Sequence, residues 1–188
     1  MFRLCGNVYA FNSTNINLCL SVFWWARFRK KKGGIKVHTL YDVETQIPAF
    51  FHITEASIHD SKVMIEVPYE PGSYYLFDRG YNNFKILYQI HQIGAYALPD
   101  QKRTFNTNPW KHRLPKNVLS DARVLLTGFY PKQYYPEPLR LIKYWDKEQT
   151  REFTFIANAM HISALQVAEL YKNRWQAELF FKWLKQHF

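Results

Sequence analysis

The chain has 188 residues, enough to bury one sizeable core, so length argues for a single domain with room for an inserted subdomain. Its 25 lysines and arginines against 15 acidic residues give a formal charge of +10, a surplus expected of a protein that meets nucleic acid or an anionic surface. A membrane span is excluded, because the longest apolar run, near Leu18 to Trp25, falls well short of the roughly twenty residues a spanning helix needs. The N-terminus lacks the apolar segment and cleavage site of a signal peptide, so a cytoplasmic protein is expected. Cys5 and Cys19 are the two cysteines. They form no Cys-x-x-Cys and no second pair, and are expected to be ordinary buried thiols.

The first third is rich in β-branched and aromatic residues and predicts strands over 8–11, 27–31, 35–43 and 48–54, with Gly33 and Gly34 turning a hairpin between the second and third. Asp60 is expected to cap a short helix over 61–67, ended by Pro68, Pro71 and Gly72. Tyr74 to Phe77 is a short apolar run that stops at Asp78 and reads as a buried strand. A helix over 83–93, closed by Gly94, and a strand over 95–98 follow. Residues 99–151, dense in proline, tyrosine and basic side chains, read as a β-rich insertion with strands over 124–128 and 139–145. A strand over 153–156 leads to one long terminal helix capped by Ser163. This order describes an α/β sheet covered by helices, as in the ribonuclease-H-like fold, with 1–98 and 152–188 as core. Ligands of open α/β sheets gather at the carboxyl ends of strands, which makes Asp78 a site candidate.

On the terminal helix, Tyr171, Arg174, Glu178 and Lys185 fall at spacings that wind onto one narrow stripe, while the other faces are mostly apolar. A site for divalent cations and phosphates would satisfy such a stripe. A surface ladder built on the Arg174 to Glu178 pair is the alternative. Arg27, Arg29, Lys30, Lys31, Lys32 and Lys36 cluster around the hairpin, where they suit DNA phosphates, the alternative being a solvated turn. His38 shares a strand face with Lys36 and is read either as a satisfied histidine or as one near the site. Trp110 and Trp145 are candidates for stacking on an unpaired base, with core packing as the competing role.

The spacing of Tyr171, Arg174, Glu178 and Lys185 resembles the signature of the IS-four family of insertion-sequence transposases. The resemblance extends to Phe77-Asp78-Arg79-Gly80-Tyr81, similar to the family's second catalytic aspartate in its setting, and to the segment from Tyr9 through Thr14 and on to Ser21, similar to the one that carries the first. It implies a ribonuclease-H-like core in which three acidic residues hold two magnesium or manganese ions, interrupted by a β-rich insertion. Asp78 and Glu178 would be metal ligands, Arg174 and Lys185 would contact DNA phosphates, and Tyr171 would orient that network. The partner implied is double-stranded DNA at transposon ends in the bacterial nucleoid, with a homodimer on DNA as one arrangement.

Two ions about 3.5 to 4 Å apart can activate a water or a 3′-hydroxyl and stabilise the leaving oxygen of an in-line phosphoryl transfer. The first aspartate of the family's set should bridge them, but the matching residue here is Asn12. An amide offers one carbonyl oxygen and no charge, so it bridges two cations poorly. Little or no cleavage is therefore expected, with DNA contacts through basic residues retained. Asp42 and Asp60 are weak substitutes. Beside family members the chain looks like an internal, degenerate fragment, and a catalytically dead DNA-binding protein of the same fold is the alternative.

Overall fold

A computed structural model describes residues 5–18, 27–29, 32–101, 107–109, 113–127 and 129–187. Two sheets form its frame. The first contains β1 (Val8–Leu18), β2 (Arg27–Arg29), β3 (Lys32–Asp42), β4 (Pro48–Glu55), β5 (Tyr74–Phe77) and β6 (Tyr96–Pro99), and runs β3-β1-β5-β6 with β2 and β4 on the outer edge of β3. β1 is antiparallel to β3 and parallel to β5, and β5 is parallel to β6. The second sheet is antiparallel, in the order β10 (Arg151–Ala157), β9 (Leu139–Asp146), β8 (Val118–Val124), β7 (Thr107–Pro109). The helices are α1 (Asp60–Val63), α2 (Phe84–Gln92), α3 (Phe129–Tyr134), α4 (Ala164–Lys172) and α5 (Trp175–His187). Among the described residues no helix is long and apolar enough to cross a membrane.

Strand alternation sends neighbouring side chains to opposite faces of the first sheet. Tyr9 and Phe11 of β1 join Tyr75 and Phe77 of β5 in a core that also takes Val63, Ile86, Leu87 and Ile90 from α1 and α2. On the other face Tyr74 and Leu76 pack with Val167, Ala168 and Tyr171 of α4, while Ala10 meets Ala177 of α5. Phe11 and Phe77 are fully buried, each side chain contributing roughly 1.5–3 kcal/mol. The sheets join where β6 meets β10. Asn158 accepts the Ala97 N–H at 2.7 Å and donates to the Ala95 carbonyl at 2.8 Å, so a side-chain amide occupies the edge of β6 as a strand would. The Asp100 backbone then bridges to Phe155. β10, expected within the core, pairs along its whole length with β9 of the expected insertion.

Several boundaries differ from the sequence-based expectation. β1 does not end at Phe11 but continues through Asn12, Ser13 and Thr14 to Leu18, because its polar half is fully paired with β3 and tertiary pairing overrides weak local propensity. Gly33 and Gly34 lie inside β3, paired with Leu18 and Asn17, and do not form the hairpin turn. The strand expected over 124–128 is instead β8, ending at Val124. His59, not Asp60, caps α1: its Nδ1 accepts the Ser61 N–H at 3.2 Å, and Asp60 is the first helical residue. Cys5 is exposed rather than buried, and Cys19 lies outside the described residues.

The long terminal helix is two helices. Ser163 caps α4 in a reciprocal box with Gln166, but the chain tightens after Tyr171. The N–H groups of Asn173 and Arg174 reach the carbonyls of Leu170 and Tyr171, and those of Gln176 and Ala177 reach Asn173 and Arg174, each only three residues back. α5 starts at Trp175, and Arg174 stands in the turn between the two helices.

Candidate active site

β5 and β6 end side by side, and a carboxylate follows each: Asp78 after Phe77 and Asp100 after Pro99. Asp78 caps a single 3-10 turn, Arg79–Tyr81, its Oδ1 accepting the Arg79 N–H at 2.6 Å. Phe11 pairs with Phe77 across β1 and β5, so Asn12 and Asp78 come next on adjacent strands. Both are half-buried. By alternation they take the face that carries Ala10 and Leu76, beneath α4 and α5. Asn12 Oδ1 is occupied by the Ser13 N–H at 2.8 Å.

The opposing wall is the break between α4 and α5. Tyr171 is buried against Phe155 and Phe153, with ring centroids at 4.7 and 5.9 Å, and its face receives the Arg174 guanidinium at 5.5 Å. Burial pushes the Tyr171 hydroxyl well above its usual range, against the pull of Arg174. Arg174 Nη2 pairs with Glu178 at 2.6 Å, while its buried Nε and Nη1 have no hydrogen-bond partner among the described residues. Burial draws the Arg174 pKa down, but Tyr171, Glu178 and Asp78 outweigh it and hold the cation firmly charged.

These walls enclose a cleft of about 320 Å³ whose lining includes Asp78, Arg79, Asp100, Tyr171, Arg174 and Glu178. Four of the expected site residues, Asp78, Tyr171, Arg174 and Glu178, therefore share one cavity. Asn12 adjoins it by register but does not line it, and Lys185 is exposed further along α5. Every carboxylate of the cleft has a partner: Asp78 the Arg79 N–H, Asp100 the Arg79 guanidinium, Asp146 Lys172, and Glu178 Arg174. Among the described residues no three of histidine, cysteine, aspartate and glutamate stand together as metal ligands. With an amide at position 12 and Glu178 engaged by a cation, the residues present do not fit a two-ion centre held by three carboxylates.

The basic hairpin is placed in part. Arg27, Arg29 and Lys32 fall on β2 and β3, while Lys30, Lys31 and Trp110 lie outside the described residues. Lys36 is turned inward, its Nζ donating to the Ile58 carbonyl at 2.7 Å and pairing with Asp60 at 3.0 Å. His38 is fully buried beside them, with Nε2 at 3.1 Å from the Thr54 hydroxyl. Asp42 Oδ1 takes the N–H groups of Glu44 and Thr45 in a turn. Trp145 is partly exposed on β9. The sequence motif around Asp78 contains Arg79 without giving it a role, and Asp100 is missing from the sequence candidates, although it follows an apolar strand just as Asp78 does and the same strand-end rule would have found it.

Residues 4–188 match the family model described as Transposase DDE domain. The y4zB protein of Sinorhizobium fredii, named as a transposase, is 29% identical over 170 residues, covering 87% of this chain and 47% of its own. The protein of Geobacillus stearothermophilus named as a transposase for insertion sequence element IS5377 is 25% identical over 186 residues, covering 94% of this chain and 47% of its own. The chain thus spans about half the length of these curated relatives. The fold is shared with the piggyBac transposase in a synaptic complex with hairpin DNA, at a TM-score of 0.54 and 10% identity over 96% of this chain and 40% of that one. With the family model spanning nearly its whole length, the chain belongs to the transposase DDE domain family.

Proposed function

We propose that this chain is the catalytic domain of an insertion-sequence transposase of the Tyr-Arg-Glu-Lys type, built to cut and join DNA strands at element ends and impaired in this copy by Asn12. Family members generally depend on a divalent metal. The observation that carries the reading is the register of β1 and β5, in which Asn12 comes up beside Asp78 under the helices that bear Tyr171, Arg174 and Glu178. A carboxylate at position 12 would supply the bridging charge that the amide lacks. The mixed order β3-β1-β5-β6 with helices on both faces supports a ribonuclease-H-like core built from 1–98 and the helices α4 and α5, with the strands of 99–151 forming a second sheet together with β10.

The DNA partner follows from the +10 charge and from the Arg174 N–H groups in the cleft that its pairing with Glu178 leaves without a partner. Arg27, Arg29, Lys30, Lys31, Lys32 and Lys185 would add contacts to the DNA backbone, and Lys36, committed to Asp60, would add least. A bacterial nucleoid is the matching location. A second reading, a DNA-binding protein with no cleavage activity, is favoured by the Glu178 carboxylate being engaged by Arg174 rather than left open.

Manganese titration by electron paramagnetic resonance, together with plasmid nicking, tests the assignment. The chain as it stands should bind manganese weakly and leave the plasmid intact in magnesium. Asn12→Asp should tighten manganese binding by roughly tenfold or more, the gain expected of one added charged ligand. Magnesium-dependent nicking by the unaltered chain, or unchanged manganese affinity in Asn12→Asp, would refute the role given to Asn12.

A further inference from the structure

Arg79 is held from one side. Its Nε donates to Asp100 Oδ2 at 2.6 Å, and Asp100 is almost wholly buried while a third of the Arg79 side chain is exposed. The backbone around the pair is fixed as well. Asn82 Nδ2 donates to the carbonyls of Arg79 and Asp100, and Gln101 Nε2 donates to Asn82 Oδ1. Among the described residues the two terminal nitrogens of Arg79 have no hydrogen-bond or ion-pair partner, and Arg79 lines the cleft with Arg174.

A buried carboxylate gripping Nε leaves the outer edge of a guanidinium facing away from it, and that edge presents parallel N–H groups matched to two phosphate oxygens. The arrangement has a cost, since Asp100 Oδ1 is buried with no hydrogen-bond partner among the described residues. A plain brace between the ends of β5 and β6 would not require the charged end of the arginine to reach the cleft. Arg174, on the opposite wall, brings unpartnered N–H groups of its own.

We propose that Arg79 binds a backbone phosphate of DNA in the cleft and that Asp100 is its positioning residue. The inference rests on the DNA partner proposed above and adds a contact that needs no metal. It carries a test of sign. Asp100 is an anion beside a polyanion, so if charge alone mattered its removal would tighten DNA binding. If Asp100 aims Arg79, its removal weakens binding.

Fluorescence anisotropy with a labelled DNA duplex, in EDTA and across a salt series, reads this out. Arg79→Ala should weaken binding roughly tenfold and lower the salt slope by about 1. Arg79→Lys should keep the slope and lose affinity, because the charge survives and the fork does not. Asp100→Leu should also weaken binding, Asp100→Asn should retain it because the amide oxygen still accepts Nε, and Asp100→Leu added to Arg79→Ala should cost nothing more. Tighter binding by Asp100→Leu, or an Arg79→Ala curve matching the unaltered chain, would overturn the proposal while leaving the DNA partner intact. Failure of the unaltered chain to bind the duplex would overturn both.

Discussion

The two faces of the first sheet treat charge in opposite ways. On the face under α1 and α2, Asp60 Oδ1 accepts from the Ser13 hydroxyl at 2.9 Å and from Lys36 at 3.0 Å, with His38 Nδ1 3.9 Å away, all next to an aromatic core. Each charged group here has an opposite charge or a hydroxyl beside it, although the buried His38 Nδ1 and Tyr81 hydroxyl find no hydrogen-bond partner among the described residues. On the face under α4 and α5, Arg79 and Arg174 each have one carboxylate partner and further N–H groups left over. Both faces arise from the same strands by alternation, so one residue of register separates a structural polar cluster from a site able to accept an anion.

If the first face is the stabilising one, its core should dominate the folding free energy. Phe77 lies between Phe11 and Tyr81, with ring centroids at 6.1 Å to each, and is fully buried. Phe77→Ala should cost about 3–5 kcal/mol, the largest effect expected from a single side chain here. Urea denaturation of variant and parent measures it. A cost below about 1 kcal/mol would mean that this face is not the tightly packed one.

The same face should confer sensitivity to acid. Burial holds the His38 imidazole down to about 4; Asp60 opposes this, and Lys36 and His52 reinforce it. The unfolded histidine titrates near 6.5, so between about 6.5 and 4 the unfolded chain binds a proton that the folded chain refuses. Stability from this group is therefore complete above pH 6.5 and is lost as pH falls toward 4, by up to roughly 3 kcal/mol. Urea midpoints at the two ends of the window should differ less in His38→Gln than in the parent. Equal losses in the two proteins would assign the acid sensitivity to other groups.

Local signals made one half of this comparison readable from sequence and hid the other. The run Tyr74–Phe77 was legible as a strand because four apolar residues stop at a polar one, and Asn83, Gly94 and Ser163 mark helix ends through their own backbone chemistry. The second half of β1 was not legible, since the partners that make Asn12, Ser13 and Thr14 extended lie on β3 and α1, more than twenty residues away. The break after Tyr171 was also hidden, because no proline or glycine marks it and periodicity continues across it. Tyr171, Arg174 and Glu178 nevertheless share one cleft, since a tight turn replaces the helical turn between them. Lys185, about two turns further along α5, is exposed and does not line that cleft.

The smallest effect on stability should come from the cleft face, and Glu178 is where to look for it. Its side chain is 53% exposed, and its bond to Arg174 spans one helical turn. Exposed pairs of that spacing contribute about 0.3–0.5 kcal/mol, so Glu178→Gln should leave the urea midpoint nearly unchanged. DNA affinity should move in the opposite sense to a structural lesion, rising a few-fold as Arg174 loses its competing anion. A loss of more than about 1.5 kcal/mol would place Glu178 among the structural charges with Asp60, and the contrast between the two faces would then fail at the residue on which it depends most.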